Sequence, residues 1–376
     1  MFIRNNSLPA SKALAMAVVA IISAGSALAA DMPDKAQPAP PPQPFFLVND
    51  TSVSFTWFPN ATDPGVGAGP VPAGWCGTSI PGNSGCGKNS FDKFVGTITH
   101  FDVWAYGTNF INVDYLKSSS KDPIRGLNGA DGAAEVYGIV RSTISGNAVF
   151  GNKIFSNLIF KDIGFEIGGD ANTENNQLSP EVRKFDIGGA FTFNLPGTVI
   201  LAVLAQKEWN YNSFLEANIS QFSGCTGAGP CFPGDRSFHW APRLEVLISE
   251  PLSFLPIPLT WNNFTGVTFP KSSGISYAQQ AALFNGLTPW SVDTNETKTE
   301  VFEDNRLTLD AGKLAFGKAR VWETYVGWRY WYNKFGTDHN NGVFSASGCT
   351  QLGSLGCAPG TSIENTVYVG TTYHFN

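Results

Sequence analysis

The feature that most constrains this chain is an alternation of apolar and polar residues that continues over long segments. Near the C-terminus, Val326, Trp328 and Tyr330 fall on one side of an extended chain, whereas Tyr325 and Arg329 fall on the other. A period of two residues is typical of β-strands whose two faces meet different surroundings. The sequence therefore predicts a protein built from strands.

Twelve segments carry this pattern, and an even number is typical of bacterial membrane barrels. Most are longer than the roughly 5 to 6 residues of an average strand, and they reach the roughly 9 to 11 residues that a tilted membrane strand needs. The segment 257–269 alternates poorly, so its register is left open. The predicted strands are 47–57, 93–104, 108–117, 134–145, 157–169, 182–194, 198–210, 236–249, 257–269, 302–310, 319–334 and 363–375.

These strands predict an all-β fold, a 12-stranded antiparallel transmembrane β-barrel with long outer loops, formed by residues 45–376. Such a sheet has to close, because lipid offers no hydrogen bonds to a free edge. Charged residues make up 14% of the chain and aromatic residues 13%, whereas soluble proteins carry about 25% charged residues. A large soluble β-sandwich is the alternative, and it does not explain the length of the strands.

The N-terminal part of the chain differs from the rest. Residues 1–29 combine Arg4 and Lys12 with a short apolar core and a small-residue site at Ala27–Ala29, which predicts a secretory signal peptide. Residues 30–44 are dense in proline, which predicts an extended periplasmic linker. Export would bring the cysteines of the chain into an oxidising compartment.

The six cysteines form three short-range pairs, each in a segment rich in glycine, serine or proline. Each pair falls in a predicted outer connection, where a disulfide would restrict an exposed loop. The spacings are not those of a zinc site, and no histidines cluster with them. The predicted disulfides are Cys76–Cys86, Cys225–Cys231 and Cys349–Cys357.

Several segments resemble the Tsx family of nucleoside-specific outer-membrane channel proteins. THFDVWAYGTNFINVDYL (99–116) resembles a strand–turn–strand unit of that family, and FDIGGAFTFNLPGTVI (185–200) resembles its glycine-rich strand ending in a Pro-Gly turn. RLTLDAGKLAFGKARVWETYVGWRYWYNKFG (306–336) is the closest match, whereas the three cysteine pairs are not part of the family pattern. The resemblance implies a twelve-stranded channel that passes nucleosides.

If the polar face of each strand points inward, the lumen holds charged groups interleaved with aromatic rings. Aromatic faces stack on a base with about 1–3 kcal/mol per base, and polar groups orient a ribose. The same charges are also suited to filling and stabilising a small barrel, and this interpretation stays open. The candidate substrate-binding residues are Asp102, Trp104, Asp114, Glu135, Tyr137, Arg141, Arg243, Glu245, Arg306, Glu323, Tyr325 and Arg329.

The predicted function is passive diffusion of nucleosides or similar small polar solutes through weak lumen sites in the bacterial outer membrane. A non-selective small porin and a recognition or adhesion barrel are the alternatives. An enzyme is not predicted, because His239 with Ser237 two residues away is an arrangement common by chance. No catalytic residue, metal or cofactor is predicted.

The expected partners follow from this location. They are the lipid bilayer, lipopolysaccharide, the barrel-assembly machinery and small-molecule solutes, and phage or bacteriocins are expected to attach at the outer loops. With a net charge of −6 and no basic stripe, the chain is not expected to bind nucleic acid. We expect a monomer.

Overall fold

The strands of the computed structural model begin and end close to the predicted bounds. The structure describes residues 45–62, 90–120, 132–175, 181–211, 235–272, 297–336 and 363–375. The strands are β1 (Phe46–Ala61), β2 (Phe91–Trp104), β3 (Gly107–Ser118), β4 (Ala134–Ser145), β5 (Phe160–Asn175), β6 (Glu181–Phe193), β7 (Thr198–Tyr211), β8 (Asp235–Ser237), β9 (Ala241–Pro251), β10 (Leu259–Thr268), β11 (Glu300–Asp310), β12 (Trp322–Tyr332) and β13 (Glu364–His374).

These strands form one closed antiparallel sheet. Apart from β8, each strand pairs with the strand before and after it, and β1 pairs with β13 to close the ring. The three-residue β8 and the longer β9 both pair with β7, and residues 238–240 separate them. The two therefore occupy one strand position of the barrel, which we call a stave. The sheet therefore has twelve staves, and the predicted 12-stranded antiparallel barrel is confirmed.

The strand whose register the sequence left open is β10. It pairs with β11 from Leu259 to Thr268 and with β9 from Thr260 to Thr268, without a shift. Its two faces are both mixed in polarity, because Asn262 and Phe264 point to one side and Asn263 and Thr265 to the other. This explains why its alternation is weak.

Two short helices lie in connections at one end of the barrel. Helix α1 (Gly146–Phe150) follows β4 and is capped by the side chain of Ser145, and helix α2 (Ala311–Phe316) follows β11 and is capped by Asp310. A 3₁₀ turn at Lys334–Gly336 follows β12 at the opposite end. Within the described ranges, no helix is long and apolar enough to cross a membrane.

The two ends of the barrel differ in the length of their connections. At the end with the two helices the other connections are short, such as Ala105–Tyr106, 194–197 and 252–258. Short turns mark the periplasmic end of a bacterial barrel. The connections at the other end run through residues outside the described ranges, as do all six cysteines and residues 1–44, so the disulfides, signal peptide and linker stay predictions. These connecting segments are 63–89, 121–131, 176–180, 212–234, 273–296 and 337–362.

The outside of the barrel carries an apolar band. Large hydrophobic side chains that are exposed to the surroundings recur along the outward face of successive strands, among them Phe55, Val113, Val140, Val203 and Val326. In water this exposure would be unfavourable, whereas hydrocarbon accepts it. A closed barrel with this band is built to cross a membrane, because closure satisfies every strand edge.

Candidate functional site

The strand register defines the face of the barrel that points to the lumen. Residues directly opposite each other in an antiparallel pair point to the same side, so the buried Asp186 and the exposed Val326 mark the inward and outward faces. On this basis most of the predicted lumen residues are placed correctly. Those on the inward face are Asp114, Glu135, Tyr137, Arg141, Arg243, Glu245, Arg306, Glu323, Tyr325 and Arg329.

Two arginines hold a cluster of carboxylates on one side of the lumen. Arg141 Nη2 on β4 donates to Asp186 Oδ2 at 3.0 Å and to Glu245 Oε1 at 3.1 Å. Arg243 Nε on β9 donates to the same Glu245 oxygen at 2.6 Å, and Gln206 Nε2 donates to Asp186 Oδ1 at 2.9 Å. Three staves separate β4 from β9, so the contact between Arg141 and Glu245 spans part of the lumen.

Two more carboxylates on β5 complete the cluster, with Asp170 toward the outer end and Glu166 toward the periplasmic end. Arg141 Nη2 lies 3.6 Å from Asp170 Oδ1, and its Nε lies 3.9 Å from Glu166 Oε1. Lys184 Nζ lies 3.3 Å from Asp170 Oδ2. Every charge in the group therefore has an opposite charge beside it, and Asp186 is fully buried. We call this group the charged wall: Arg141, Glu166, Asp170, Lys184, Asp186, Arg243 and Glu245.

An ion pair is enclosed by rings on the facing side of the lumen. Arg329 Nε on β12 donates to Asp304 Oδ2 at 2.9 Å, and the Tyr368 hydroxyl donates to Asp304 Oδ1. The Arg329 guanidinium lies 4.6 Å from the centroid of the Phe58 ring and 5.3 Å from that of Phe302. Cation–π contacts of this kind are stabilising within about 6 Å.

A row of rings continues from this pair across neighbouring strands. Phe264 on β10 lies 6.0 Å from Phe302 on β11, and Phe302 lies 5.3 Å from Trp331 on β12, measured between ring centroids. Trp331 lies 5.1 Å from Phe335. We call these residues, together with the ion pair and two tyrosines, the aromatic wall: Phe58, Phe264, Phe302, Asp304, Tyr325, Arg329, Trp331, Phe335 and Tyr368.

The two tyrosines of the aromatic wall lie flat against inward-facing glycines. A Cβ atom at Gly370 would lie 2.4 Å from Tyr325 Cζ, and one at Gly327 would lie 2.1 Å from Tyr368 Cζ. The hydroxyls of Tyr325 and Thr56 are 2.6 Å apart and hydrogen-bonded. Because the glycines leave room at the backbone, both rings stay close to the barrel wall.

A cavity of about 180 Å³ lies between the two walls, in the outer half of the lumen. Both walls contribute to it, and β3 and β4 contribute polar groups between them. Glu135 in this region accepts a hydrogen bond from Asn172 Nδ2 at 2.8 Å, and Asp114 accepts one from Thr97 Oγ1 at 2.7 Å. The cavity is lined, among others, by Phe58, Asp114, Glu135, Tyr137, Asp170, Lys184, Arg243, Phe264, Phe302, Arg329, Trp331 and Phe335.

Two of the inward-facing candidates lie nearer the periplasmic end. Arg306 stacks on Tyr325, with 4.8 Å between its guanidinium carbon and the ring centroid. Glu323 Oε2 lies 3.4 Å from His374 Nε2, and His374 Nδ1 lies 3.0 Å from Asp50 Oδ1. Among the described residues, no group of three or more His, Cys, Asp or Glu side chains is arranged to hold a metal ion.

The prediction that Asp102 and Trp104 face the lumen is wrong. The pairing of β2 with β3 runs without a shift, so both residues share the side of Ile98, which is 58% exposed on the outer face. Asp102 accepts a hydrogen bond from Asn109 Nδ2 at 2.9 Å, and the Trp104 ring contacts Tyr106 at 5.5 Å. This part of β2 ends at the periplasmic turn, where polar and amphipathic groups on the outer face meet head groups instead of hydrocarbon.

Sequence reasoning missed several residues that complete the two walls. Asp170 was assigned to a loop, although β5 continues to Asn175. Two of them could have been found from the alternation of the strands. Lys184 lies two residues from the inward Asp186 on β6, and Asp304 lies two residues from the candidate Arg306 on β11. Phe264 and Phe302 could not be found in this way, because the pattern does not distinguish an apolar residue that points inward from one that faces lipid.

The chain is similar to known proteins in structure and not in sequence. No protein-family model matches the chain, and no curated protein matches its sequence. Among solved structures, the β domain of the Bordetella autotransporter BrkA is 8% identical, with a TM-score of 0.33, and the match covers 86% of this chain and 98% of that one. The translocator domain of the autotransporter NalP from Neisseria meningitidis is 10% identical, with a TM-score of 0.34, and the match covers 87% of this chain and 88% of that one.

Both TM-scores are low, so the assignment of the fold rests on the strand register and not on these similarities. The register closes the sheet, the outward residues form an apolar band, and the inward residues carry the charges. This is the arrangement of polarity that a membrane-spanning barrel requires. The chain is a twelve-stranded β-barrel of the bacterial outer membrane.

Proposed function

We propose that this barrel is a channel for passive diffusion of nucleosides or similar small polar aromatic solutes across the outer membrane. The observation that carries the proposal is the row of rings from Phe264 through Phe302 and Trp331 to Phe335, which faces a charged wall across one cavity. A solute with an aromatic base and a hydroxylated sugar has one part suited to each wall.

The chemistry of such a passage needs weak binding on both sides. Rings offer stacking of about 1–3 kcal/mol per base, which is enough to favour entry without trapping the solute. On the charged wall, carboxylates such as Asp170 already have cationic partners, so sugar hydroxyls would add hydrogen bonds without separating an ion pair. No energy source is needed, because transport follows the concentration gradient.

The resemblance of 306–336 and other segments to the Tsx family agrees with this proposal. That resemblance rests on the sequence segments alone, because no family model matches. The location in the outer membrane supports further proposed partners. These are lipopolysaccharide, the barrel-assembly machinery and agents that attach to the outer loops.

The experiment is conductance of the purified full-length protein in a planar lipid bilayer, titrated with adenosine and with thymidine. Saturable block by both nucleosides, with no block by glucose, is the expected result. Conductance that no solute saturates would replace the proposal with a non-selective small porin. A complete lack of conductance would favour a recognition or adhesion barrel.

A pair of variants tests the role of the aromatic wall. Phe302→Ala removes a ring that lines the cavity and contacts both of its neighbours, whereas Phe55→Ala removes a ring from the lipid-facing side. We expect Phe302→Ala to raise the nucleoside concentration for half-block by about 5- to 150-fold, as the loss of one stacking contact implies. Phe55→Ala should leave that concentration unchanged, and equal effects of the two variants would remove the aromatic wall from the mechanism.

A further inference from the structure

Three carboxylates line the cavity between the two walls without a cation at ion-pair distance among the described residues. Asp114 Oδ1 accepts hydrogen bonds from Thr97 Oγ1 at 2.7 Å and from Asn112 Nδ2 at 2.9 Å. Glu135 Oε1 accepts one from Asn172 Nδ2 at 2.8 Å. These donors are neutral, so they orient the carboxylates without compensating their charge. We call the three residues the acidic set: Asp114, Glu135 and Glu300.

Glu300 is the most enclosed member of the acidic set. It lies at the outer end of β11 and is only 5% exposed. Its Oε1 accepts a hydrogen bond from Trp331 Nε1 at 2.7 Å, whereas its Oε2 has no hydrogen-bond partner in the part of the chain that the structure describes. A carboxylate buried to this degree normally has partners for both oxygens. The unpaired oxygen therefore indicates a partner that comes from outside the chain.

The cations that line the cavity do not compensate the acidic set. Four of them already have acidic partners, in the pairs Lys184–Asp170, Arg243–Glu245, Arg329–Asp304 and Lys334–Glu364. The fifth, Lys93, lies 5.4 Å from the centroid of the Phe91 ring. These four partners and the acidic set give seven carboxylates against five cations, so the net charge is −2 even with Lys93 counted.

The rings on the other side of the cavity are suited to a cation as well. The Arg329 guanidinium lies 5.3 Å from the centroid of Phe302, and Lys334 Nζ lies 4.6 Å from that of Trp331. Phe264 also lines the cavity, and within the described ranges no cation lies over its ring. Aromatic faces attract ammonium groups. A cavity of roughly 150 Å³ accepts a benzene ring, so this one of about 180 Å³ has room for a single ring.

We propose that the cavity selects cationic aromatic solutes, which are molecules with one ring and one ammonium group. The ring packs against Phe264 and Phe302, and the ammonium group binds the unpaired oxygens of the acidic set. The inference rests on the proposed function, because it names the charge of the solutes that the cavity takes in. Neutral nucleosides bind more weakly than such amines, since they leave the charge of the acidic set uncompensated.

Three probes with the same phenol ring and two-carbon chain test the inference. Tyramine ends in an ammonium group, which is protonated near pH 7 as that of lysine is, tyrosol ends in a hydroxyl, and phloretate ends in a carboxylate. Their binding to the full-length protein in detergent micelles is measured by isothermal titration calorimetry. The Kd of tyramine should be at least about tenfold lower than that of tyrosol, and phloretate should bind most weakly. Equal Kd values for tyramine and tyrosol, or no binding of tyramine, would overturn the inference.

Isosteric variants test the role of the individual carboxylates. Glu300→Gln keeps an acceptor for Trp331 Nε1 and removes one charge, so it should raise the Kd of tyramine by about 5- to 10-fold and leave that of tyrosol within about twofold. Glu135→Gln should act in the same direction, and it provides a second measurement if Glu300→Gln does not form a closed barrel. Barrel closure is checked in each case by the heat-dependent gel shift.

The matched control for these variants is Glu181→Gln. Glu181 lies on the outward face of β6, and its side chain is 40% exposed. Its replacement removes the same charge outside the lumen and should leave the Kd of tyramine unchanged. An equal effect of Glu181→Gln and Glu300→Gln would mean that tyramine responds to the charge of the whole protein, and the cavity would then not be its site.

Conductance separates this inference from the proposed function. Tyramine that binds in micelles, in a protein whose bilayer conductance neither tyramine nor nucleosides reduce, would remove the proposed function and keep a cation site in the cavity. A channel that adenosine blocks, in a protein that binds tyramine no more tightly than tyrosol, would keep the proposed function and remove the inference.

Discussion

The two walls of the lumen reach stability by different means. On the charged wall, Arg141 and Arg243 share Glu245, and Asp186 is buried with no exposed surface. On the aromatic wall, the ion pair of Asp304 with Arg329 is surrounded by rings. The first wall is a network in which each charge depends on several others, while the second is a packed surface with a polar centre.

This difference indicates which wall is suited to a passing solute. Separating a partner from the charged wall would leave a charge uncompensated, which is costly in a poorly hydrated place. A solute that displaced Arg329 or Lys334 from a ring face would leave neither cation without a partner, because Asp304 and Glu364 remain paired with them. The charged wall therefore mainly holds the barrel together, and the aromatic wall is the adaptable side.

The largest effect is expected from removing the central cation of the charged wall. Arg141→Ala leaves Asp186 and Glu245 with fewer partners, and breaking such a buried cluster costs about 3–5 kcal/mol of unfolding free energy. Urea unfolding in phospholipid vesicles, followed by tryptophan fluorescence, measures the loss.

The matched control for that variant is Arg183→Ala. Arg183 pairs with Glu181 at 2.8 Å, but its side chain is 71% exposed, so its removal should cost less than about 1 kcal/mol. Similar losses for the two arginines would mean that water in the lumen screens the charged wall as it screens a surface pair.

An intermediate effect is expected on the aromatic wall from Gly370→Ala. The new methyl group would lie within the ring of Tyr325, so the ring has to move into the lumen, at a cost of about 1–3 kcal/mol. Single-channel conductance should fall at the same time, because the displaced ring narrows the passage. Gly138→Ala is the control, because no atom lies within 4 Å of a Cβ there, and an unchanged conductance in Gly370→Ala would show that the ring finds other room.

The smallest effect is expected from Tyr325→Phe. This change keeps the ring and removes the hydrogen bond to Thr56, which is worth about 0.5–1.5 kcal/mol. Tyr373→Phe, on the lipid-facing side, should have a smaller effect in the same urea unfolding experiment. A loss for Tyr325→Phe as large as that for Arg141→Ala would contradict the view that packing, and not a polar network, stabilises this wall.

Much of the fold was readable from the sequence because alternation is a local property. In β12, Trp322, Val326, Trp328 and Tyr330 recur at even spacing, and the predicted faces of that strand are correct. The same pattern failed at the periplasmic end of β2. There the outer face meets head groups, so Asp102 is tolerated on the outside while Phe101 and Val103 point inward.

By itself, the sequence determined the strands, their number and most of their faces, since each depends on residues two positions apart. The tertiary structure decided which inward charges meet: Arg141 and Glu245 are 104 residues apart, and their contact follows from register and closure of the whole sheet. It also decided that Asn263 and Thr265 of β10 share the outer face with Asn305 and Glu303 of β11, because pattern alone could not set the face of β10. Contacts between distant strands depend on the sum of all registers around the barrel, which no local segment encodes.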